Sequence, residues 1–503
     1  MILAFLLFFS AFTYAGDAFV PPPAELTNTK YARDCGGEFP DITSEMPPVD
    51  DQRPSPWCAT FATKAVIDHF YHSVRNETTY RDRISANDLN SWNSDRPEAV
   101  RGLEPDFLDA AGANASGLLE GVQRSGKIYL ESDLPFDQSY FDSQGTLARL
   151  SDYYERQKDF VGDPGLLACR DQSPASIGLE KEFSELVTVL SQSLSKEAFF
   201  AKVGQGRILY PLPRAGAERR PLNPGFNIQL VRANTGDQYA EEIQQNLLNH
   251  RPTLVAVCAL QMMQIPGLAD GLVPVSPAEK NNCGGHYLTV VGMENMNGEC
   301  RLKVRNSWGE NWPTPTAGGY ASIPLTAMLK ISHGNEMTSI VERKEGRPVE
   351  NHIQYAKGMA YFGETLRRGP NGRGILREAG RVSEGVFADW KLVEGRQTWK
   401  DGSYLSGKFS GDNFVEGTMK RRLSDGTEYE GEFKNSMVDG KGKMKKPDGS
   451  VAEGIFKAGR FMTGTFKGLI NPEKGIYYNG PMKDGQTTDP TKFTDKNGKP
   501  WVF

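Results

Sequence analysis

The sequence predicts an α+β fold over its first 345 or so residues, followed by an all-β array of hairpins. Three observations predict it. Glycine is concentrated in the second part: residues 1–354 hold 28 and the shorter stretch 355–503 holds 25. In that stretch Gly363, Gly385, Gly407, Gly431 and Gly454 recur at intervals of 22 to 24 residues. Ahead of it, segments with helical spacing of apolar residues alternate with β-branched runs bounded by glycine.

The array is the clearest element. Gly395, Gly417, Gly440 and Gly464 keep step with the first glycine series, and so do the pairs Asp401-Gly402, Asp425-Gly426 and Asp448-Gly449. In DGTEYEGEFKNSMVDGKGKMKKPDG, residues 425–449, Tyr429, Gly431 and Phe433 alternate with polar residues, as in a strand. Asp-Gly supplies the residue tolerant of positive φ that a tight turn needs. One hairpin cannot bury its aromatic face alone, so neighbours must stack. These units resemble MORN repeats, which read Tyr-x-Gly-x-Phe/Tyr. The resemblance implies a scaffold, dimerisation surface, or protein- or lipid-binding module over residues 361–485.

The remaining boundaries follow from composition. Ile2 to Phe12 is almost wholly apolar and small residues follow at Ala15 and Gly16, as in a secretory signal peptide spanning residues 1–16. Residues 17–45 form a short segment, 46–345 the α+β domain, 346–360 a polar linker and 486–503 a tail. No later apolar run approaches the ~18–20 residues that span a bilayer, so the mature chain is expected to lack a transmembrane segment. With 58 basic and 63 acidic side chains the net charge is −5, which points away from nucleic acid or an anionic membrane. Six cysteines are present, none spaced as a zinc site. If one is a nucleophile, at most two disulfides remain. Cys258, in LVAVCAL, reads as a buried thiol.

Three segments carry chemistry. In DQRPSPWCATFATKAVIDHFY, residues 51–71, Pro54 and Pro56 delay a helix until Cys58. A cysteine at a helix N-terminus gains from the exposed N–H groups and the dipole, which favour the thiolate. CGGHYLTVVGME, residues 283–294, reads as a strand opening with His286, and RLKVRNSWGENW, residues 301–312, as a strand ending at Asn306. This order resembles papain-like cysteine peptidases. Gln52 lies six residues before Cys58, where the family has its oxyanion glutamine. Asn306-Ser307-Trp308-Gly309 matches the family motif, with Trp312 and Gly319-Tyr320 following. Ile84 to Leu89 and residues 112–128 resemble two of its helical segments. The departures are Ser55-Pro56-Trp57 for the usual Cys-Gly-Ser and Ala59 for the usual tryptophan. His286 and Asn306 lie 228 and 248 residues after Cys58, against about 130–150 in papain-type enzymes. An insertion within about residues 138–235, with helical spacing in its middle, accounts for the excess.

The resemblance implies a two-lobed fold, one lobe helical with Cys58 and the other β-barrel-like with His286 and Asn306. It implies a secreted enzyme, extracellular or periplasmic, that hydrolyses protein or peptide through a thiolate–imidazolium pair and an acyl-enzyme, without metal or cofactor. Asn306 would orient the imidazole, Gln52 and the Cys58 N–H would hold the oxyanion, Trp308 would shield the His–Asn bond, and Gly112 would bind substrate. The alternatives are a catalytically silent fold that acts through its repeats, and an acyl-transfer use of the same triad. His69 and His72 share a helix face and read as packed rather than metal-binding. Asn76-Glu77-Thr78 and Asn114-Ala115-Ser116 match the glycosylation sequon.

Overall fold

The computed structural model describes residues 28–52, 55, 57–76, 83–92, 113–136, 217–222, 224–263, 265, 268, 285–355 and 358–501. The predicted signal peptide, most of the insertion and Gly112 lie outside these residues. The chain divides into two compact units. The first takes residues 1–355 with 366–368, and the second takes 356–365 with 369–503.

In the first unit, helix α1 (Cys58–His69) is buried along its whole length. Its Ala62, Val66 and Ile67 pack with one apolar cluster, whereas Ala65 packs with another. A helix covered on all sides has no solvent face for polar residues, so Lys64 and Asp68 must find partners inside. Around α1 stand α2 (Ala86–Ser91), capped by the Ser85 side chain, and α3 (Ala115–Ser125), capped by Asn114. The cap matters for the second sequon: Asn114 Oδ1 accepts from the N–H and the hydroxyl of Ser116. Helix α4 (Gly236–Leu248), capped by Thr235, lines the other cluster with Tyr239, Ile243 and Leu247.

The strands are β1 (Phe226–Arg232), β2 (Thr253–Cys258), β3 (Gly285–Met296), β4 (Glu299–Arg305), β5 (Tyr320–Pro324), β6 (Ser332–Glu342) and β7 (Asn351–Gln354). Pairing runs β7–β1–β6–β2–β3–β4–β5, antiparallel except for β7 with β1. Thus residues 226–232, placed by the sequence within the insertion, are a strand of this sheet. A disulfide joins Cys35 to Cys300 at the start of β4. Cys258 is fully buried, as its apolar neighbours predict. No described helix is long and apolar enough to cross a membrane.

The second unit runs as antiparallel strands joined by short turns. They include β8 (Arg381–Ala388), β9 (Lys391–Trp399), β10 (Tyr404–Ser410), β11 (Asn413–Arg422), β12 (Glu428–Lys434), β13 (Met437–Lys445), β14 (Val451–Lys457) and β15 (Arg460–Asn471). Glycines face one another across them: Gly385 opposite Gly395, Gly395 opposite Gly407, Gly407 opposite Gly417. A Cβ on Gly407 would lie 2.0 Å from the Glu416 carbonyl oxygen, so only glycine fits. In the next hairpin Gly431 faces Gly442 rather than Gly440, with a register shift between Gly431 and Phe433. The Asp-Gly turns repeat one device. Asp401, Asp425 and Asp448 each accept from the N–H two residues on, and the following glycines have φ of 81°, 83° and 85°.

Candidate active site

Four separate segments of the first unit meet at one place. Cys58 opens α1, and Phe61 N–H donates to the Trp57 carbonyl as the first turn closes. His286 is the second residue of β3, opposite Val257 of β2. Asn306 follows β4 and donates its N–H to the Gly319 carbonyl. The fourth segment, residues 47–52, is stitched along the Asn306–Gly309 turn. Gln52 N–H donates to the Ser307 carbonyl at 2.7 Å, and Gly309 N–H donates to the Asp50 carbonyl at 3.1 Å. The Arg305 guanidinium donates to the carbonyls of Pro47 and Pro48.

The His286–Asn306 pairing expected from sequence is present. His286 Nε2 lies 2.8 Å from Asn306 Oδ1. The same oxygen accepts from Ser307 N–H at 2.8 Å. It is therefore the carbonyl end of the amide, and Nε2 carries the hydrogen. That leaves Nδ1 as the ring nitrogen able to accept a proton. The Trp308 ring lies 4.7 Å from the imidazole between centroids, and Trp312 packs edge-on against Trp308. The indole, for which the resemblance implied a shielding role, therefore stands beside the imidazole.

The thiol is enclosed. Cys58, His286, Asn306 and Gln52 are all buried. Cys58 Sγ donates to the Gly285 carbonyl across a long 3.9 Å. Burial pushes its pKa up to about 11, against the pull of the N–H groups of Tyr287, Ala59 and Cys58 itself. Burial also pushes His286 down to about 4, partly offset by the bond to Asn306. Burial thus opposes charge on both groups and works against the expected ion pair. Desolvation outweighs the helix N-terminus because taking a charge out of water costs more than a few backbone donors return.

The Gln52 amide is already engaged. Its Nε2 donates to the Ser55 carbonyl at 2.8 Å, and its Oε1 accepts from the Ser307 hydroxyl. An amide nitrogen carries two hydrogens, so a second remains for an oxyanion.

Sequence reasoning missed the charges behind the site. Lys64 is wholly buried, 3.4 Å from Asp68, 3.5 Å from Asp50 and 3.9 Å from Glu131. Arg83 pairs with Asp50 and Asp68, and Arg305 lies 3.7 Å from Asp50. Burial opposes charge on Asp50, but Lys64, Arg83 and Arg305 together hold its pKa below the usual value. Asp50 thereby links the segments bearing Gln52, Cys58 and Asn306. A signal was available: Asp50 is two residues before Gln52, and Arg305 immediately precedes Asn306.

Two of the other histidines face Glu45. His69 Nε2 lies 3.6 Å from Glu45, and His250 donates to Glu45 at 2.7 Å. Burial pushes His69 down to about 4. Among the described residues no group of three or more His, Cys, Asp and Glu side chains is arranged to hold a metal ion.

Among solved structures the chain is similar to two digestive proenzymes from the larval midgut of Tenebrio molitor, procathepsin L 3 and procathepsin L2. Each is 16% identical with a TM-score of 0.33, covering 66% of this chain and 78% and 79% of those chains. It is also similar to xylellain, a cysteine protease from Xylella fastidiosa, at 15% identity and a TM-score of 0.32, over 66% of this chain and 98% of that one. No family model and no curated protein matches. At these TM-scores the functional reading rests on the site itself.

Proposed function

We propose that the chain is an exported cysteine endopeptidase of the papain type, with its second unit serving as a MORN-type scaffold or partner-binding module. One observation carries the reading. A buried histidine gives Nε2–H to an asparagine beneath a tryptophan, with a cysteine at a helix N-terminus against the backbone that leads into that histidine. This constellation suits acyl transfer.

In the proposed reaction the Cys58 proton passes to His286 Nδ1 as Sγ adds to the scissile carbonyl carbon. The resulting oxyanion takes hydrogen bonds from the Cys58 N–H and the second Gln52 amide hydrogen, donors each worth roughly 10²–10³ in rate. His286 then protonates the leaving amine as the C–N bond breaks. Water, losing a proton to the same ring, hydrolyses the thioester and restores the thiol. Because burial disfavours charge on both groups, the proposed proton transfer accompanies attack rather than preceding it. The disulfide fits an oxidising compartment, in keeping with export.

A second reading is a silent papain-like fold that acts through its second unit. Burial of the thiol and imidazole favours it. Peptide-library hydrolysis by wild type, Cys58→Ala and Asn306→Ala separates the two. The peptidase reading expects cleavage that Cys58→Ala reduces by at least about 10³-fold. Cleavage absent from wild type, or unchanged in Cys58→Ala, overturns it.

A further inference from the structure

Asn306 Oδ1 takes two hydrogen bonds, from His286 Nε2–H and Ser307 N–H. Its Nδ2 is buried and, among the described residues, has no hydrogen-bond partner. A buried amide nitrogen left unpaired costs about 1–3 kcal/mol. Asn306 also lines a small cavity behind the site, together with Asp50, Ala62, Thr289, Arg305 and Ser307. The cavity has room for a single water molecule and polar groups to hold it. Of the side chains around it, Asp50 supplies the one carboxylate, and three cations keep it ionised.

We propose that Asp50 is a positioning residue for the His286–Asn306 pair. A water in this cavity accepts from Asn306 Nδ2–H and donates to the Asp50 carboxylate. The amide is thereby fixed with its oxygen, not its nitrogen, toward His286. A flipped amide would present N–H to the ring and force the other tautomer, with Nδ1 protonated and unable to take the thiol proton. Asp50 thus sets the protonation pattern of a ring it does not touch. The proposal rests on the peptidase reading for its catalytic meaning, whereas its structural core is the tautomer of His286.

The test combines a crystal structure of the full chain at about 1.2 Å resolution, where ordered water and amide ends are resolved, with two variants. Asp50→Asn removes the charge at constant shape. Ala62→Val fills the cavity from α1 and leaves every ion pair of Asp50 in place, so it also covers the case in which Asp50→Asn does not fold. The expected structure has one water within hydrogen-bond reach of Asn306 Nδ2 and Asp50. In ¹⁵N-labelled protein His286 is expected as the Nε2–H tautomer, with the other tautomer gaining in both variants. The expected loss in kcat is on the order of 10-fold with KM within about twofold, below the ~10²-fold that a 1 Å misplacement can cost. A dry cavity overturns the proposal, and so does an Ala62→Val variant whose cavity is filled while the His286 tautomer and kcat stay unchanged. If wild type hydrolyses nothing through Cys58, the peptidase reading fails while the tautomer measurement still decides this one.

Discussion

Lys64 in the first unit and Lys443 in the second both face carboxylates, 3.4 Å from Asp68 and 2.8 Å from Glu453, in opposite surroundings. The Lys64 side chain is 0% exposed, that of Lys443 59%. Lys64 belongs to a group with Asp50, Asp68, Arg83, Glu131 and Arg305 that joins the segments bearing the candidate active site. Lys443 belongs to an exposed cross-strand ladder in which Lys420, Glu430, Lys443 and Glu453 sit opposite one another in turn. The first arrangement fixes geometry, because a buried charge tolerates few positions. The second keeps strands in register at a surface where each pair contributes little. Net charge divides along the same line. The second unit, residues 356–365 and 369–503, carries 24 basic and 19 acidic side chains, so the overall −5 conceals a basic second unit and an acidic first one.

The largest expected effect tests the buried side of this contrast. Lys64→Ala leaves Asp50 and Asp68 short of a cation inside the protein and should cost about 3–5 kcal/mol, read by urea unfolding of the first unit. A loss below about 1 kcal/mol would show that water reaches the group. Next comes Gly407→Ala, which drives a Cβ into the Glu416 carbonyl. It should destabilise the second unit by roughly 2–4 kcal/mol, while Cys58-dependent hydrolysis stays within about twofold if the units are energetically separate.

Acid should separate the units further. His69 and His286 have folded pKa values near 4, depressed from 6.5. The unfolded chain binds more protons between those values, so stability present above pH 6.5 is lost as pH falls toward 4. The first unit's melting temperature should drop across that window, and His69→Gln should flatten the drop. For Cys58 the sign reverses: its raised pKa predicts that iodoacetamide labelling accelerates from pH 7 toward pH 10 without an early plateau. A plateau near pH 5 would reveal a preformed ion pair. Smallest of all, Lys443→Ala should change the second unit's stability by at most about 0.5 kcal/mol.

Much of the site was legible because its chemistry is local to short segments. Asn306-Ser307-Trp308-Gly309, the β-branched run after His286 and the helix start at Cys58 each declare themselves within a dozen residues. In the second unit the antiparallel strands follow Asp-Gly turns that recur at a fixed interval in the sequence. What stayed hidden depends on burial across distant segments. Lys64 on an otherwise amphipathic-looking helix reads as a solvent-facing residue until both faces of α1 are seen to be covered. The thiol's raised pKa follows from enclosure, which no local pattern encodes. Asp50 and Arg305 acquire meaning only when the chain before Cys58 lies along the turn after β4.

The bond between Cys35 and Cys300 closes a covalent ring of chain that contains Gln52, Cys58 and His286. A single proteolytic cut anywhere from residue 36 to residue 299 therefore opens the ring without dividing the molecule. A cut after Cys58 would put Cys58 on one fragment and Asn306 on the other, still tethered by sulfur. Such a nicked form would migrate as one species without reductant and as two with it.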